Sequence, residues 1–285
     1  MKRNPILKYL ILLAIFFSYQ FSTAGDKPAD KQETKTVVTA PPESLKLDPF
    51  YKKYIDARGI PVFSSDKVAD EALFEVRYLI KETLYARPDI LKGMAKQGVR
   101  IIIIGAKEQV TDIPEYSHMD EYWNRRARGF GGRTTSCGEE NLLNYEGDRY
   151  VGENIFLHEF GHCIHNYLRR AEPEFQNKLN ALYSDAKSKK LFENTYAGTN
   201  ASEYWAEGVQ DYLDCNRQSK TGEPDRVHNH VNTREELQAY DPNLFTFIDD
   251  TLGHIKWRYT RYIDRQKKQS EESEKEIAEN KNNPK

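Results

Sequence analysis

Cysteine is scarce in this chain: three in 285 residues, with no CxxC pair among them. That excludes a disulfide-dense scaffold and a closed thiolate zinc site. Long apolar runs are also missing. The longest candidate, over residues 9–17, falls well short of the ~20 residues that a stable bilayer span requires. No cysteine follows it, so a lipoprotein anchor has no support. Nor does charge of one sign dominate. Lysine and arginine number 42 against 44 aspartates and glutamates, for a formal net charge of −2, which gives no cause to expect nucleic acid or an anionic membrane as partner. Internal repeats are absent.

What stands at the N-terminus is a basic start (Lys2, Arg3), the short apolar run, and Ser22-Thr23-Ala24 before Gly25. This order describes a secretory signal peptide cleaved after Ala24, and hence a secreted or periplasmic protein. An uncleaved signal anchor is the alternative. After cleavage no stable membrane span remains, and loss of Lys2, Arg3 and Lys8 takes the net charge from −2 to −5. Residues 25–45, rich in Lys, Asp, Thr and Pro, read as a disordered linker. Residues 266–285 read as a charged tail, disordered or an exposed helical extension. Residues 46–265 are left for the folded domain. In an oxidising compartment the odd cysteine count leaves one thiol free. Cys163 suits a small buried position, so Cys137 and Cys215 are the expected disulfide pair.

Within the domain, residues 66–87 carry Val68, Ala72, Leu73, Val76, Leu79, Ile80 and Leu84 at helical spacing after a capping candidate at Ser65, and Pro88 stops the run. Residues 99–105 form a β-branched run bounded by glycine, the signature of an interior strand. Helices are then expected over about 152–170, 173–189, 200–214, 233–239 and 242–252. The order predicts an α+β fold in which a small N-terminal α/β lobe packs on a mostly helical lobe, with a cleft between them.

The chemistry is carried by His158-Glu159-Phe160-Gly161-His162. Two histidines at i and i+4 lie one helical turn apart and converge on one tetrahedral metal, and the intervening glutamate is placed to take a proton from water. With seven histidines in the chain, an accidental HExxH arises in roughly one or two per cent of such sequences. The competing reading is an ordinary helix with half-exposed histidines. Against it, Leu157, Phe160, Ile164 and Leu168 recur at three- and four-residue spacing, with Ile155, Phe156, Cys163 and Tyr167 widening the stripe. A helix that apolar is buried, and its polar groups need partners. Gly161 costs about 1 kcal/mol relative to alanine in a helix interior, which points either to a neighbouring backbone lying close or to a tolerated packing glycine.

A catalytic zinc takes three protein ligands. His165 lies seven residues from His158, about 10 Å along a helix, too far to share the ion. Six residues after His162 stands Leu168, so the pattern with a third histidine there also fails. A glutamate from another helix remains, and Asn200-Ala201-Ser202-Glu203-Tyr204-Trp205-Ala206-Glu207 offers Glu203, with Glu207 one turn on to bond the distal nitrogen of a ligand histidine. Asn200 with Glu203 reads equally as a capping box with no metal involved.

These residues resemble the gluzincin metallopeptidases, a group with a zincin-like fold, and within them the anthrax lethal factor and Pro-Pro endopeptidase branch, with its HExGH form and E-aromatic-aromatic-A-E helix. The motif match covers about residues 153–214. The resemblance implies one zinc ion held by His158, His162 and Glu203, with Glu207 behind them, Glu159 as general base, and a peptide or protein substrate. It also implies a transition-state role for the tyrosine seven residues before the ligand glutamate, which is Tyr196 here. His228 and His230 are reserve donors for the oxyanion. Residues 125–133, rich in arginine and glycine, are either a lid or substrate-binding loop, or a solvated basic loop. The function expected is a secreted zinc-dependent peptidase; the alternative is a catalytically inactive binding module of the same fold at the cell surface.

Overall fold

The computed structural model describes residues 37–282. A hairpin opens the fold. β1 (Lys53–Ala57) and β2 (Ile60–Ser64) run antiparallel with Ala57 opposite Ile60. The turn is Arg58-Gly59, both at positive φ (58° and 95°), and the Asp56 carboxylate accepts the Gly59 N–H at 3.0 Å. Such two-residue turns match the twist of the strands they join. Helices α1 (Asp70–Thr83) and α2 (Pro88–Lys96) lead to β3 (Arg100–Ile104), which pairs parallel to β2. After the short α3 (Tyr122–Arg126), β4 (Thr134–Gly138) adds parallel to β3, completing a sheet of order β1-β2-β3-β4. The rest is helical: α4 (Glu139–Leu142), α5 (Ile155–Ala171), α6 (Phe175–Ser188), α7 (Ala201–Tyr212), α8 (Arg234–Tyr240), α9 (Pro242–Leu252) and α10 (Tyr262–Asn282). The molecule is thus α+β, and residues from Val37 onward cluster as one unit.

The isoleucines of β3 explain the continuous apolar run. Ile101 and Ile103 enter the main core, which α1, α2 and α5 share, while Ile102 and Ile104 enter a smaller one with Tyr51, Phe63, Val110 and Ile113. A strand covered on both faces has no polar alternation. α5 joins the two halves, packing on β4 on one side and α7 on the other.

Several expectations are corrected. α1 begins at Asp70, not 66. Ser65 does not cap it; its Oγ accepts the Lys67 N–H in a turn, and the Ala69 N–H at the helix start goes instead to the Glu139 carboxylate at 2.7 Å. Pro88 does more than end a helix, because it occupies the first turn of α2, where its missing N–H costs nothing. Of the linker placed at 25–45, residues 37–45 have defined structure: Thr39 exchanges two backbone hydrogen bonds with Tyr54, and Glu43–Leu45 is a 3-10 turn. Residues 266–282 are helical, as the continuation of α10. The signal peptide expected at residues 1–24, and residues 25–36, lie outside the described residues. No helix among the described residues is long and apolar enough to cross a membrane.

The expected disulfide is not formed. Cys137, Cys163 and Cys215 are all buried free thiols. Cys137 sits in β4 opposite Ile103, near Arg128 and Glu140. Cys215 follows α7, where its carbonyl accepts the Asn154 N–H and its charged neighbours are Asp211 and Asp214. Burial pushes both thiols well above their ordinary pKa, which keeps them in the unreactive thiol form.

Candidate metal centre

α5 starts where two asparagines fix it. The Asn154 side chain accepts the Leu157 N–H at 2.9 Å, and Asn141 accepts the Ile155 N–H at 2.8 Å. The next turns bring His158 and His162 to one face, ring centroids 4.8 Å apart. α7 starts with Asn200, whose Oδ1 accepts from the Ser202 and Glu203 N–H groups at 2.9 and 3.0 Å. Asn200 therefore caps the helix with its own side chain. The Glu203 carboxylate does not complete a capping box; it turns to the histidines.

Three donor atoms meet there. His158 Nε2 and His162 Nε2 are 3.1 Å apart, and Glu203 Oε2 is 3.2 Å from the first and 3.0 Å from the second. Tetrahedral bonds of about 2.0–2.1 Å place ligand atoms roughly 3.3 Å apart, so the triangle has the size of a zinc face. The proton positions agree. The Gln210 amide N–H donates to the Asn154 carbonyl at 3.2 Å, which turns its Oε1 to His158 Nδ1 at 2.8 Å. A carbonyl oxygen accepts only, so Nδ1 keeps its proton and Nε2 is the nitrogen whose proton a metal would replace. His162 Nδ1 lies 3.0 Å from the Ser202 hydroxyl. Charge agrees as well. Burial alone raises the Glu203 carboxyl and lowers the His158 imidazole. The facing opposite charges outweigh burial in both, holding Glu203 well below the usual carboxylate range and His158 well above the usual imidazole range. The site is built for a cation, and its His2Glu donors suit zinc.

Glu207 Oε1 stands 3.3 Å from His158 Nδ1, further than Gln210, and its other oxygen accepts from Asn216 at 3.2 Å. Gln210 and Ser202 went unrecognised in the sequence. Their signal was position: Gln210 is seven residues past Glu203 on the same helix face, and Ser202 adjoins it. His165, excluded as a ligand by spacing, turns its Nε2 to Gln176 at 2.8 Å. A second group with ligand atoms in reach, Asp249, Asp250 and His254, lies at the surface end of α9. There Asp249 already accepts from the Tyr212 hydroxyl and faces His254.

The centre opens on a cleft of about 1430 Å³. Glu159 lines it half-buried, and its carboxylate is hydrogen-bonded to no group among the described residues. Burial raises its pKa, partly offset by His158 and His162. Tyr196 lines it too, its ring stacked near His158 with centroids 6.2 Å apart. Its backbone N–H is held by the Val227 carbonyl at 2.8 Å, and burial followed by the Glu203 charge raises its pKa, so the hydroxyl stays a donor. Neither reserve histidine lines the cleft. His228 is buried with Nε2 3.5 Å from Glu153, and His230 packs against the Tyr240 ring.

Residues 126–132 line the cleft while Arg125, Arg126 and Arg133 are exposed, so the segment is neither wholly a solvated loop nor detached from the body of the protein. Arg128 is buried, gripping Glu140 through Nε and Nη2 at 2.6 and 2.8 Å and two backbone carbonyls beyond. Phe130 exchanges backbone hydrogen bonds with Ser136 of β4. The glycines allow the chain to lie against α5. A Cβ on Gly131 would stand 2.5 Å from His162 Cβ, and one on Gly129 2.9 Å from Ile155 Cγ2. Gly161 differs: α7 does lie against it, with Trp205 donating to its carbonyl at 2.9 Å, yet an added Cβ would meet Ala206 Cα at an ordinary 3.5 Å.

No family model matches this chain, and no curated protein matches it. Among solved structures, the Pro-Pro endopeptidase PPEP-2 from Paenibacillus alvei aligns at a TM-score of 0.46 with 19% identity, covering 66% of this chain and 96% of that one. A likeness of that degree decides neither activity nor substrate.

Proposed function

We propose that the protein is an exported zinc-dependent peptidase. The observation that carries this reading is the triangle of His158 Nε2, His162 Nε2 and Glu203 Oε2, 3.0–3.2 Å on each side, with the unpaired carboxylate of Glu159 beside it. Export rests on the N-terminal sequence alone. Zinc bound by these ligands supplies Lewis acidity, drawing charge from a substrate carbonyl and lowering the pKa of water towards about 7.

The chain's own groups account for the remaining chemistry. Glu159 accepts the proton of the attacking water and passes it to the leaving amine. Its freedom from protein hydrogen bonds leaves both oxygens for that work. Tyr196 donates its hydroxyl to the oxyanion as the tetrahedral centre forms, a contribution worth a few kcal/mol in comparable sites. Gln210, Glu207 and Ser202 hold the two imidazoles in the tautomer and rotation that present Nε2.

Metal analysis of the purified protein tests the reading, coupled to cleavage of a diverse peptide library before and after chelation. One zinc per chain is expected, with cleavage lost on chelation and restored by one equivalent of zinc. Zinc without cleavage of any peptide would favour the inactive binding module. Absence of stoichiometric metal would remove the account.

A further inference from the structure

We propose that the cleft selects acidic peptides, holding carboxylate side chains on both sides of the scissile bond through two pairs of arginines, Arg126 with Arg149 and Arg169 with Arg170. The inference rests on the peptidase reading for its scissile bond, while the charge selection itself rests on the cleft wall.

All four arginines line the cleft and are exposed. The acidic groups around them are already committed. Arg217 is paired with Glu153 at 3.1 Å, Arg128 with Glu140, and Glu159, Glu203 and Glu207 belong to the metal centre. None of the four has a carboxylate within ion-pair distance among the described residues. Arg149 is instead held by neutral partners, donating to the Arg125 and Ala127 carbonyls at 2.7 and 3.4 Å, and Arg169 and Arg170 share the Asn166 amide oxygen at 3.1 Å each. Such bonds fix the Arg149, Arg169 and Arg170 guanidinium groups in place and leave their charge uncompensated. A chain with net charge −2 has carboxylates to spare for them, yet no described carboxylate stands within ion-pair distance of them.

Their placement sets the spacing of the ligand. The cleft follows α5, because Ile155, His158, Glu159, His162 and Arg170 all line it. Arg169 is seven residues beyond His162, about 10 Å along the helix axis. The opposite wall runs beside α5, with Gly131 against His162 and Gly129 against Ile155. Arg149, six residues before Ile155, binds the carbonyls that flank Arg126, which keeps this pair toward the N-terminal end of α5, with Arg126 in electrostatic reach of Tyr196. The two pairs therefore bracket the metal centre. From Ile155 to Arg170 the helix covers about 22 Å, which an extended peptide at about 3.3 Å per residue crosses in roughly seven residues. Carboxylates about three residues to either side of the scissile bond meet the two pairs. A guanidinium takes a carboxylate in two parallel hydrogen bonds, a geometry that lysine cannot offer.

The test is binding followed by turnover. Zinc-loaded Glu159→Gln protein is titrated, by fluorescence anisotropy, with a labelled dodecapeptide of Ala, Gly and Ser carrying two Glu residues seven positions apart, and with its Gln and Lys versions. The Glu peptide is expected to bind about tenfold more tightly than the Gln peptide, the Lys peptide more weakly than either, and the preference to shrink as salt rises. Removing one pair, as Arg169→Gln with Arg170→Gln, lowers the Glu-over-Gln ratio roughly three- to tenfold. Reversal, as Arg169→Glu with Arg170→Glu, shifts preference towards the Lys peptide, a gain that misfolding does not produce. Equal binding of the Glu and Gln peptides, or preference for Lys, overturns the proposal. So does a single-stranded oligonucleotide of equal charge that displaces the Glu peptide as the tighter ligand. Wild-type turnover separates the two claims: charge-selective binding without cleavage sinks the peptidase and leaves the acidic cleft, and cleavage without charge preference does the reverse.

Discussion

At the scale of single residues, Gln210 decides how His158 presents itself. Its amide is locked by the Asn154 carbonyl, so its oxygen demands the Nδ1 proton. The histidines and Glu159 are legible in sequence because one helical turn relates them. Glu203 is legible with the alternative of a cap, and Gln210 and Ser202 are not, because glutamine and serine carry no ligand signature and their partners lie up to 56 residues away. Zinc affinity measured by chelator competition should fall most for Glu203→Ala. Glu207→Ala and Gln210→Leu should each cost about 10- to 100-fold. A larger loss at Glu207 than at Glu203 would mean that the wrong glutamate holds the metal.

Behind the site, Asp211 is buried beside Glu207, accepting one hydrogen bond from Asn216 at 2.8 Å. Burial first, and the Glu207 charge second, raise its pKa well above the usual value. A folded-state pKa above the unfolded value of about 3.9 means that the folded protein keeps the proton more tightly. The stability so contributed is complete below that pH and is lost as pH rises through the folded pKa. Asp211→Asn removes this loss. Its stability relative to wild type, followed by thermal melts, should therefore climb as pH rises above about 4, with a limiting slope near 1.4 kcal/mol per pH unit. A difference that stays flat with pH would show Asp211 to be ionised in place.

At the scale of elements, long periodic segments announce themselves. Residues 242–252 are expected helical and form α9 over that same span, and 99–105 yields β3. The five-residue β1 and β4 escape notice, since their pairing is non-local and their sequences, KYIDA and TTSCG, are mixed in polarity. The wall at 125–133 is legible in part: its arginines and glycines offer a lid or substrate-binding loop beside a solvated one, and residues 126–132 do line the cleft. What sequence does not show is Arg128 buried on Glu140 and glycines that matter because α5 lies against them. Gly131→Ala should disturb His162, lowering stability by about 1–3 kcal/mol together with zinc affinity. Gly161→Ala, whose Cβ makes ordinary contact, should keep both. Thermal melts with metal titration compare them, and equal tolerance at the two sites would show that the wall yields.

At the scale of the whole molecule, the α+β class follows from the order of the patterns; that α5 is shared by the sheet and the helices, packing on both β4 and α7, comes from the structure. The charge of the cleft does not follow from composition. Arg126, Arg149, Arg169 and Arg170 come from three separate stretches of a chain whose charges nearly balance, and only folding gathers them around one cleft. The same folding brings together Glu159 from α5, Tyr196 from the segment before α7 and the candidate metal ligands of α5 and α7, so that all of them face one cleft. The claim that this assembly hydrolyses peptide bonds is tested most directly by turnover of zinc-loaded wild type and Glu159→Gln protein on the same peptide library. The account predicts equal zinc content in both and activity at least about 100-fold lower in the variant, in line with the loss of a general base. Equal turnover by the two proteins would contradict it.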